Sequence, residues 1–159
     1  IDLPDWQGVC VKENEFTVIV DTREKEPYSF PCSTVRTGLK TGDYSLAGLE
    51  NCVSVERKRT EELFLCVGRE RKRFERELQR LAAFDYSAII IEGDLQTLTR
   101  PSAFSRVSPR AVINSLVSWS VKFNVHVFFC GNRDLARALT YRILEKYWKH
   151  RGGEHAGQE

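Results

Sequence analysis

The residues best suited to chemistry are three acids and a lysine in the first third of the chain. Asp21 closes the segment FTVIVD, Asp43 follows Gly42 in a predicted turn, and Glu56 and Lys58 lie in the segment CVSVERK. The stretch between Asp43 and Glu56 is short enough for a hairpin to close, which sets these two acids on neighbouring strands. Asp21 ends a third strand, where the active sites of α/β folds gather. We therefore expect the three acids to converge.

The segment that contains Glu56 predicts which side chains share a face. In a strand over residues 52–58, successive side chains alternate, so Glu56 and Lys58 point to one side. Arg57 points to the other side unless a local twist or bulge re-aims it. The alternative interpretation is that this charged run is a solvated strand end, which is the usual case for such a triplet standing alone. The two further acids favour a chemical role.

Converging carboxylates predict a metal site. Without a counter-charge they repel each other, and a divalent cation removes that penalty. The donors are oxygens, and no histidine or cysteine lies nearby at ligand spacing, which favours Mg²⁺ or Mn²⁺ over Zn²⁺. Such an ion polarises a phosphate and lowers the pKa of a bound water, while Lys58 stabilises the developing charge or orients the water. The predicted chemistry is phosphodiester hydrolysis.

Three segments, DTRE from Asp21, the pair Gly42-Asp43 and ERK from Glu56, together resemble the nuclease domain of the XPF family of structure-specific endonucleases. That family's signature is a GD pair, a spacer, and ERK followed by an acid. The resemblance covers roughly residues 16–149. It implies a restriction-endonuclease-like fold, dependence on Mg²⁺ or Mn²⁺, and cleavage of DNA near junctions between duplex and single strands.

The resemblance also implies roles for individual residues. Its implied catalytic residues are Asp21, Asp43, Glu56, Arg57 and Lys58, its implied metal ligands are Asp21, Glu24, Asp43 and Glu56, and its implied supporting residues are Arg23 and Glu62. Glu62 stands where the family usually has aspartate. Family members also carry a tandem helix-hairpin-helix domain, which nothing after residue 149 supplies. We therefore expect a single-domain relative or an excised domain, as the absence of methionine also indicates.

Basic residues cluster between Arg57 and Arg80, where nine of them stand against five acids. At helical spacing they suit contacts with DNA phosphates, which position a protein without reading sequence. The predicted contacts are Arg59, Arg69, Arg73 and Arg76. The alternative is a surface helix covered with i,i+4 ion pairs, Arg71 with Glu75 and Arg73 with Glu77.

The pattern of apolar runs predicts the elements that position these residues. Strands are expected over residues 16–21, 32–38, 44–46, 52–58, 86–92 and 125–130, and helices within 60–84, 109–124 and 132–150. Gly68 predicts a break in the first helical region, Thr60 a cap at its start, and Ser108 with Pro109 the start of the next helix. Hairpins followed by alternating strands and helices predict an α/β fold, with a restriction-endonuclease-like core and a mixed central sheet flanked by helices.

Composition limits the remaining possibilities. The 159 residues form one predicted nuclease domain at 15–150, between a polar arm at 1–14 and a flexible polar tail at 151–159. No apolar run is long enough to span a membrane. Five cysteines without a CxxC pair fit free thiols in a reducing compartment. We expect an intracellular protein, in the cytoplasm or nucleoid, or in the nucleus if the source is eukaryotic.

The expected partner is DNA, branched or with a flap. The helix over residues 109–124 is apolar around most of its circumference, and core packing explains most of this surface. The remainder, with the apolar stripe of the last helix, favours a homodimer or a related nuclease domain as a second partner. No GxxxxGK[ST] loop is present, so use of ATP is not expected. Two other functions stay open: a catalytically inactive DNA-binding or scaffolding module, and a nuclease that acts on linear duplex DNA.

Overall fold

A six-stranded mixed sheet with helices on both faces forms the centre of the molecule. The computed structural model describes residues 16–152, so the predicted arm and most of the predicted tail lie outside the described residues. The strands are β1 Thr17–Val20, β2 Ser33–Arg36, β3 Tyr44–Leu46, β4 Val53–Lys58, β5 Tyr86–Ile91 and β6 His126–Phe129. Each falls within a predicted strand. The α/β class with a mixed sheet is confirmed.

The order of strands across the sheet is β2-β1-β3-β4-β5-β6. The β1–β3 and β3–β4 pairs are antiparallel, and the other three neighbouring pairs are parallel. The predicted hairpin between β3 and β4 is confirmed. It brings the carboxyl ends of β1 and β4 and the start of β3 to the same edge of the sheet.

Four α-helices cover the sheet: α1 Thr60–Val67, α2 Arg71–Leu81, α3 Pro109–Phe123 and α4 Arg133–Tyr147. The break predicted at Gly68 separates α1 from α2. Ser108 caps α3 by accepting from the N–H of Ala111, as predicted. Thr60 was wrongly expected to cap α1; Arg59 takes the cap position and makes no side-chain cap bond.

The sheet separates two apolar clusters. On the face covered by α4, here the α4 face, buried residues of β1, β3 and β4 contact Tyr141 and Leu144. On the opposite face, here the α1–α3 face, Ile89 and Ile91 contact the helices α1, α2 and α3. Ile90 points to the α4 face, so β5 is buried on both sides, as its apolar run predicts. Burying each such side chain stabilises the fold by roughly 1.5–3 kcal/mol.

Three sequence expectations concern surfaces and thiols. Within residues 16–152, no helix has the length and apolar character needed to cross a lipid bilayer. The four cysteines of the same region, Cys32, Cys52, Cys66 and Cys130, are free thiols. Val117 and Val121 of α3 are 58% and 80% exposed. A partner for that side of α3 stays a prediction.

Candidate active site

The three predicted acids lie side by side across β1, β3 and β4. The antiparallel register of β1 and β3, continued by one residue, pairs Asp21 with Asp43, and β3 pairs with β4 at Tyr44 and Val55. The N–H of Asp21 donates to the carbonyl of Asp43 at 2.9 Å. Asp43 contacts β4 in two ways: its N–H donates to the carbonyl of Val55 at 2.9 Å, and its carboxylate accepts from the N–H of Arg57 at 2.8 Å. Glu56 is paired with Lys58 beside Phe74 on the α1–α3 face, and the charge of Asp43 raises the pKa of Glu56, so Asp43 lies next to it. We call these three residues the acid row.

The turn before Asp43 requires glycine. Gly42 has a φ of +85°, and a Cβ at this position would collide with the side chain of Ser54. The Ser54 hydroxyl donates to the carbonyl of Thr41 at 3.2 Å, and Arg80 of α2 donates to the Thr41 hydroxyl at 3.0 Å. The turn is thereby held against β4 and α2, which fixes where Asp43 enters the row.

Lys58 lies on the same face, two residues beyond Glu56. Its ammonium is 3.1 Å from the Glu56 carboxylate and 5.2 Å from the centre of the Phe74 ring. Glu77 of α2 lies against the same pair and forms a hydrogen bond with the Glu56 carboxyl. The contact of Glu77 with Glu56 was not predicted from the sequence, because the i,i+4 rule pairs Glu77 with Arg73 on the surface of the helix. The available signal was helical phase, since Glu77 is three residues from Phe74 and shares its inward side.

Burial dominates the electrostatics of the row. It raises the pKa of the Asp43 carboxyl to about 7. Burial, and then the charge of Asp43, raises the pKa of Glu56 well above its usual value. Burial disfavours the Lys58 ammonium, but the Glu56 carboxylate beside it raises the pKa of the lysine above its usual value. Two carboxyls that resist joint ionisation, with oxygen donors only, are a suitable environment for a hard divalent cation.

Asp21 is engaged differently from its two neighbours. One carboxylate oxygen accepts from the Nε of Arg23 at 2.7 Å, and the other accepts from the N–H of Leu39 at 2.9 Å. The Arg23 side chain is 70% exposed. Its pKa is raised by the hydrogen bond to Asp21 and, to a smaller extent, by the charges of Asp43 and Glu56. Within residues 16–152, no group of three or more His, Cys, Asp and Glu side chains is arranged to hold a metal ion. The Asp43 carboxylate accepts from the main-chain N–H of Arg57 at 2.8 Å, and Glu56 is paired with Lys58 at 3.1 Å, so the other two acids of the row also have protein partners.

Comparison with known proteins identifies the family. Residues 20–143 match the family model of the ERCC4 domain, which is more than half of the chain. The chain belongs to the ERCC4 domain family. XPF from Aeropyrum pernix, solved alone, superposes with a TM-score of 0.65 at 20% identity over 87% of this chain and 67% of that one. Its complex with DNA gives a TM-score of 0.65 at 20% identity over 84% of this chain and 65% of that one. No curated protein matches the chain.

These similarities confirm the resemblance inferred from the three short motifs. The chain is an ERCC4 domain, and its sheet and helices have the fold of the archaeal XPF protein. At 20% identity the superposition supports the fold alone. The chain spans about two thirds of the length of the XPF chains it matches.

Two predicted site residues of this ERCC4 domain lie on the other face. No bulge re-aims Arg57, and its guanidinium meets Glu92 at 2.6 Å and Glu24 at 3.1 Å on the α4 face. The same oxygen of Glu24 accepts from the Tyr44 hydroxyl at 2.7 Å. The structure therefore pairs Arg57 with Glu24, and the charge of Glu24 reaches the acid row, where it raises the pKa of Asp43. Glu92 ends the apolar run of β5, and its position gave no signal of a role.

Glu62 and Arg59 lie at the start of α1 and pair with each other at 2.9 Å. Both line a cleft of about 380 Å³ whose other walls are Arg23, Glu24, Lys25, Glu26 and Arg57. Glu62 also borders a groove of about 290 Å³ that runs between α1 and α2 and contains Lys58 and Glu77. The predicted supporting acid is thus beside the lysine of the ERCC4 site, at its outer rim.

The predicted DNA-binding arginines are partly rearranged. Arg69 does not lie on a helix, because the turn at residues 68–70 separates α1 from α2. Arg73 and Arg76 are exposed on α2, and Arg73 pairs with Glu70 at 3.4 Å. The predicted pair of Arg71 and Glu75 is present at 3.2 Å. Contact of these arginines with DNA stays a prediction.

Proposed function

We propose that this ERCC4 domain is a metal-dependent endonuclease that hydrolyses phosphodiester bonds of DNA at branched, flap or fork junctions, inside the cell. The observation that carries the proposal is the acid row on three neighbouring strands, with the Lys58 ammonium 3.1 Å from Glu56. Membership of the family supports DNA as the substrate. One of the matched XPF structures is a complex with DNA.

The metal would be held by Asp43 and Glu56, with Asp21 beside them. One or two carboxylates, completed by substrate oxygens and water, are the usual protein share of a Mg²⁺ site. A bound Mg²⁺ or Mn²⁺ would supply Lewis acidity to the phosphate and lower the pKa of a coordinated water. Burial is the main cause of the raised pKa values of both carboxyls, and a bound cation would favour their ionised forms.

The chain's own groups bind and orient the phosphate. Lys58 keeps its proton and brings a positive charge beside the acid row, and its burial strengthens that charge relative to bulk water. Glu56 fixes the direction of the lysine through their ion pair. Arg23, held by Asp21 and exposed at the surface, binds the phosphate that neighbours the scissile bond.

The substrate is recognised by shape. The exposed cations near the site, Arg59, Arg73 and Arg76, contact phosphates, which are the same in every sequence. A second copy of the chain or a related nuclease domain completes the grip on a junction in this proposal. Its support is the exposed side of α3 at Val117 and Val121.

The test is cleavage of end-labelled flap, fork and blunt duplex DNA of equal length with Mg²⁺ or Mn²⁺. The wild-type protein is expected to cut flap and fork and to spare the blunt duplex. Asp43→Asn and Glu56→Gln preserve shape and are expected to lower the rate by on the order of 10²–10⁴-fold. Glu61→Gln, which changes an exposed acid of α1, is the matched control and should cut normally. A Glu56→Gln protein with the wild-type rate would overturn the site, and equal cutting of all three DNAs would overturn the junction preference.

A further inference from the structure

We propose that Arg57 is a positioning residue, which holds the segment 22–28 in place from the α4 face and does not touch DNA. Its partners in this role are Glu24, Glu92 and Tyr28. The proposal deepens the proposed function and rests on it, since what the segment positions is Arg23 beside the acid row. It reassigns an arginine that the family resemblance places among the catalytic residues.

The contacts of Arg57 leave its guanidinium little capacity for a phosphate. The side chain is 10% exposed, and its Nε donates to Glu92 at 2.6 Å. Its Nη1 donates to Glu24 at 3.1 Å and to the carbonyl of Glu26 at 2.8 Å. The guanidinium also lies 4.8 Å from the centre of the Tyr28 ring. The Arg23 side chain is 70% exposed, although its Nε donates to Asp21 at 2.7 Å and its Nη2 to the Leu39 carbonyl at 2.8 Å.

The groups that Arg57 and its neighbours hold all belong to one short segment. Glu24 is fixed by Arg57 and by the Tyr44 hydroxyl at 2.7 Å. The Glu26 carbonyl accepts from Arg57 and from Arg133 of α4, both at 2.8 Å. At the end of the segment, the Tyr28 ring stacks on the Tyr44 ring with centres 5.2 Å apart. The segment is thus tied to the sheet and to α4 at three of its residues.

Arg23 lies between two fixed points of this segment. On one side Asp21 holds its Nε at 2.7 Å, and on the other Glu24 is held by Arg57 at 3.1 Å. A guanidinium that must meet a phosphate needs its main chain fixed to within a fraction of an ångström. Releasing Glu24 loosens the main chain next to Arg23, while the Arg23 side chain keeps its bonds to Asp21 and to the Leu39 carbonyl.

Glu92 shares its charge among several partners, which makes the cluster cooperative. One oxygen accepts from Arg57 and from the Tyr28 hydroxyl, and it lies 3.8 Å from Arg133. Its main-chain N–H donates to the Lys58 carbonyl at 2.9 Å, so the residue is anchored to β4. Removing one member of a buried ionic cluster leaves the others without partners. The effects of two substitutions in the cluster should therefore not add.

The experiment compares Arg57→Met with Arg59→Met, a change at the neighbouring exposed arginine. Hydrogen exchange of segment 22–28, single-turnover cleavage of flap DNA, and DNA affinity at several salt concentrations are measured on both. Arg57→Met is expected to speed exchange in the segment by about tenfold or more and to slow cleavage by about 10–100-fold, with the salt dependence of binding unchanged. Arg59→Met is expected to remove about one phosphate contact, which lowers the slope of log affinity against log salt concentration by about one. It is expected to leave hydrogen exchange of segment 22–28 unchanged.

Further variants keep the test independent of a folding defect. Glu92→Gln and Tyr44→Phe should give the exchange and cleavage effects in milder form, and Arg57→Lys should restore part of the rate. The double variant Arg57→Met with Glu92→Gln should be no slower than the slower single variant. Normal exchange in Arg57→Met with a reduced salt slope would overturn the proposal and make Arg57 a DNA contact. A wild-type protein that cuts no DNA would overturn the proposed function, while the exchange result would still decide the role of Arg57.

Discussion

Asp43 is half-buried and Glu56 is buried, and the charge of Asp43 raises the pKa of Glu56. Burial raises the pKa of Asp43 to about 7, from a usual value near 3.8. The folded protein then binds this proton more tightly than the unfolded chain, so ionisation of the carboxyl destabilises the fold. A cation that enters the acid row favours the ionised form and reverses this effect.

The metal-free protein should therefore lose stability as the pH rises from about 4 to 7 through ionisation of Asp43, and the raised pKa of Glu56 adds a loss of the same sign. Below about pH 4 the Asp43 carboxyl is protonated in both the folded and the unfolded protein, and above about pH 7 it is ionised in both. The loss is up to about 4 kcal/mol for the shift of Asp43. Urea unfolding in the presence of a chelator measures it, and Asp43→Asn should flatten the profile. A wild-type profile as flat as that of Asp43→Asn contradicts the raised pKa.

Gly42 allows a matched comparison with Gly48. Both have a positive φ, of 85° and 84°, but a Cβ at Gly48 meets nothing within 4 Å, whereas one at Gly42 collides with Ser54. Each alanine substitution should cost about 1–2 kcal/mol from the backbone alone. Gly42→Ala should cost more and slow cleavage by about tenfold or more, because it displaces Asp43.

Unfolding in urea and flap cleavage measure both effects in the two glycine variants. Ser54→Ala removes the hydroxyl that the new methyl group meets, so the double variant Gly42→Ala with Ser54→Ala should recover part of the loss. Equal stability and equal activity of Gly42→Ala and Gly48→Ala would show that the turn does not position the acid.

At the scale of elements, α2 has two functions. Its inward side brings Glu77 to the pair of Glu56 and Lys58, while Arg73 and Arg76 point to solvent. Replacing both arginines by alanine should weaken DNA binding at all sequences and reduce the salt slope by about one for each lost phosphate contact. The matched control is the double alanine variant of Arg110 and Lys122, exposed cations of α3. An equal salt slope in the two double variants would place the DNA elsewhere.

The elements themselves could be predicted from local patterns. The apolar runs gave all six strands, and Gly68 and Ser108 gave a break and a helix start, because propensity and capping act within a few residues. Arg69 was placed wrongly because the helical period was continued across the turn at residues 68–70. Because this turn interrupts the helix, residues before it do not continue the helical spacing of α2.

The side-chain partners depend on contacts that no local rule can provide. Glu77 lies 21 residues from Glu56, and Tyr28 lies 64 residues from Glu92, with which its hydroxyl forms a hydrogen bond. Strand alternation did predict that Arg57 points away from Glu56. It could not predict that Glu24, Glu92 and Tyr28 lie on that face as partners of Arg57. Register brings the acid row together, and register is fixed by the whole sheet.

At the scale of the molecule, the two faces of the sheet carry different kinds of charged groups. The α1–α3 face holds carboxyls with raised pKa values, which cost stability, and the α4 face holds a cluster in which each charge has a partner. Such a division is expected where a functional site is unfavourable by itself and the surrounding fold must support it. The fold is shared with the archaeal XPF at 20% identity, so much of the remaining sequence is free to vary while the sheet order is kept.

Binding of Mn²⁺, measured by electron paramagnetic resonance on the wild-type protein, Asp43→Asn, Glu56→Gln and the control Glu61→Gln, tests the central claim most directly. The account predicts that the wild-type and control proteins bind the ion alike. It predicts that either substitution in the acid row weakens binding by about 10–100-fold without unfolding the protein. Mn²⁺ affinity unchanged in both Asp43→Asn and Glu56→Gln would contradict a metal site between these two acids.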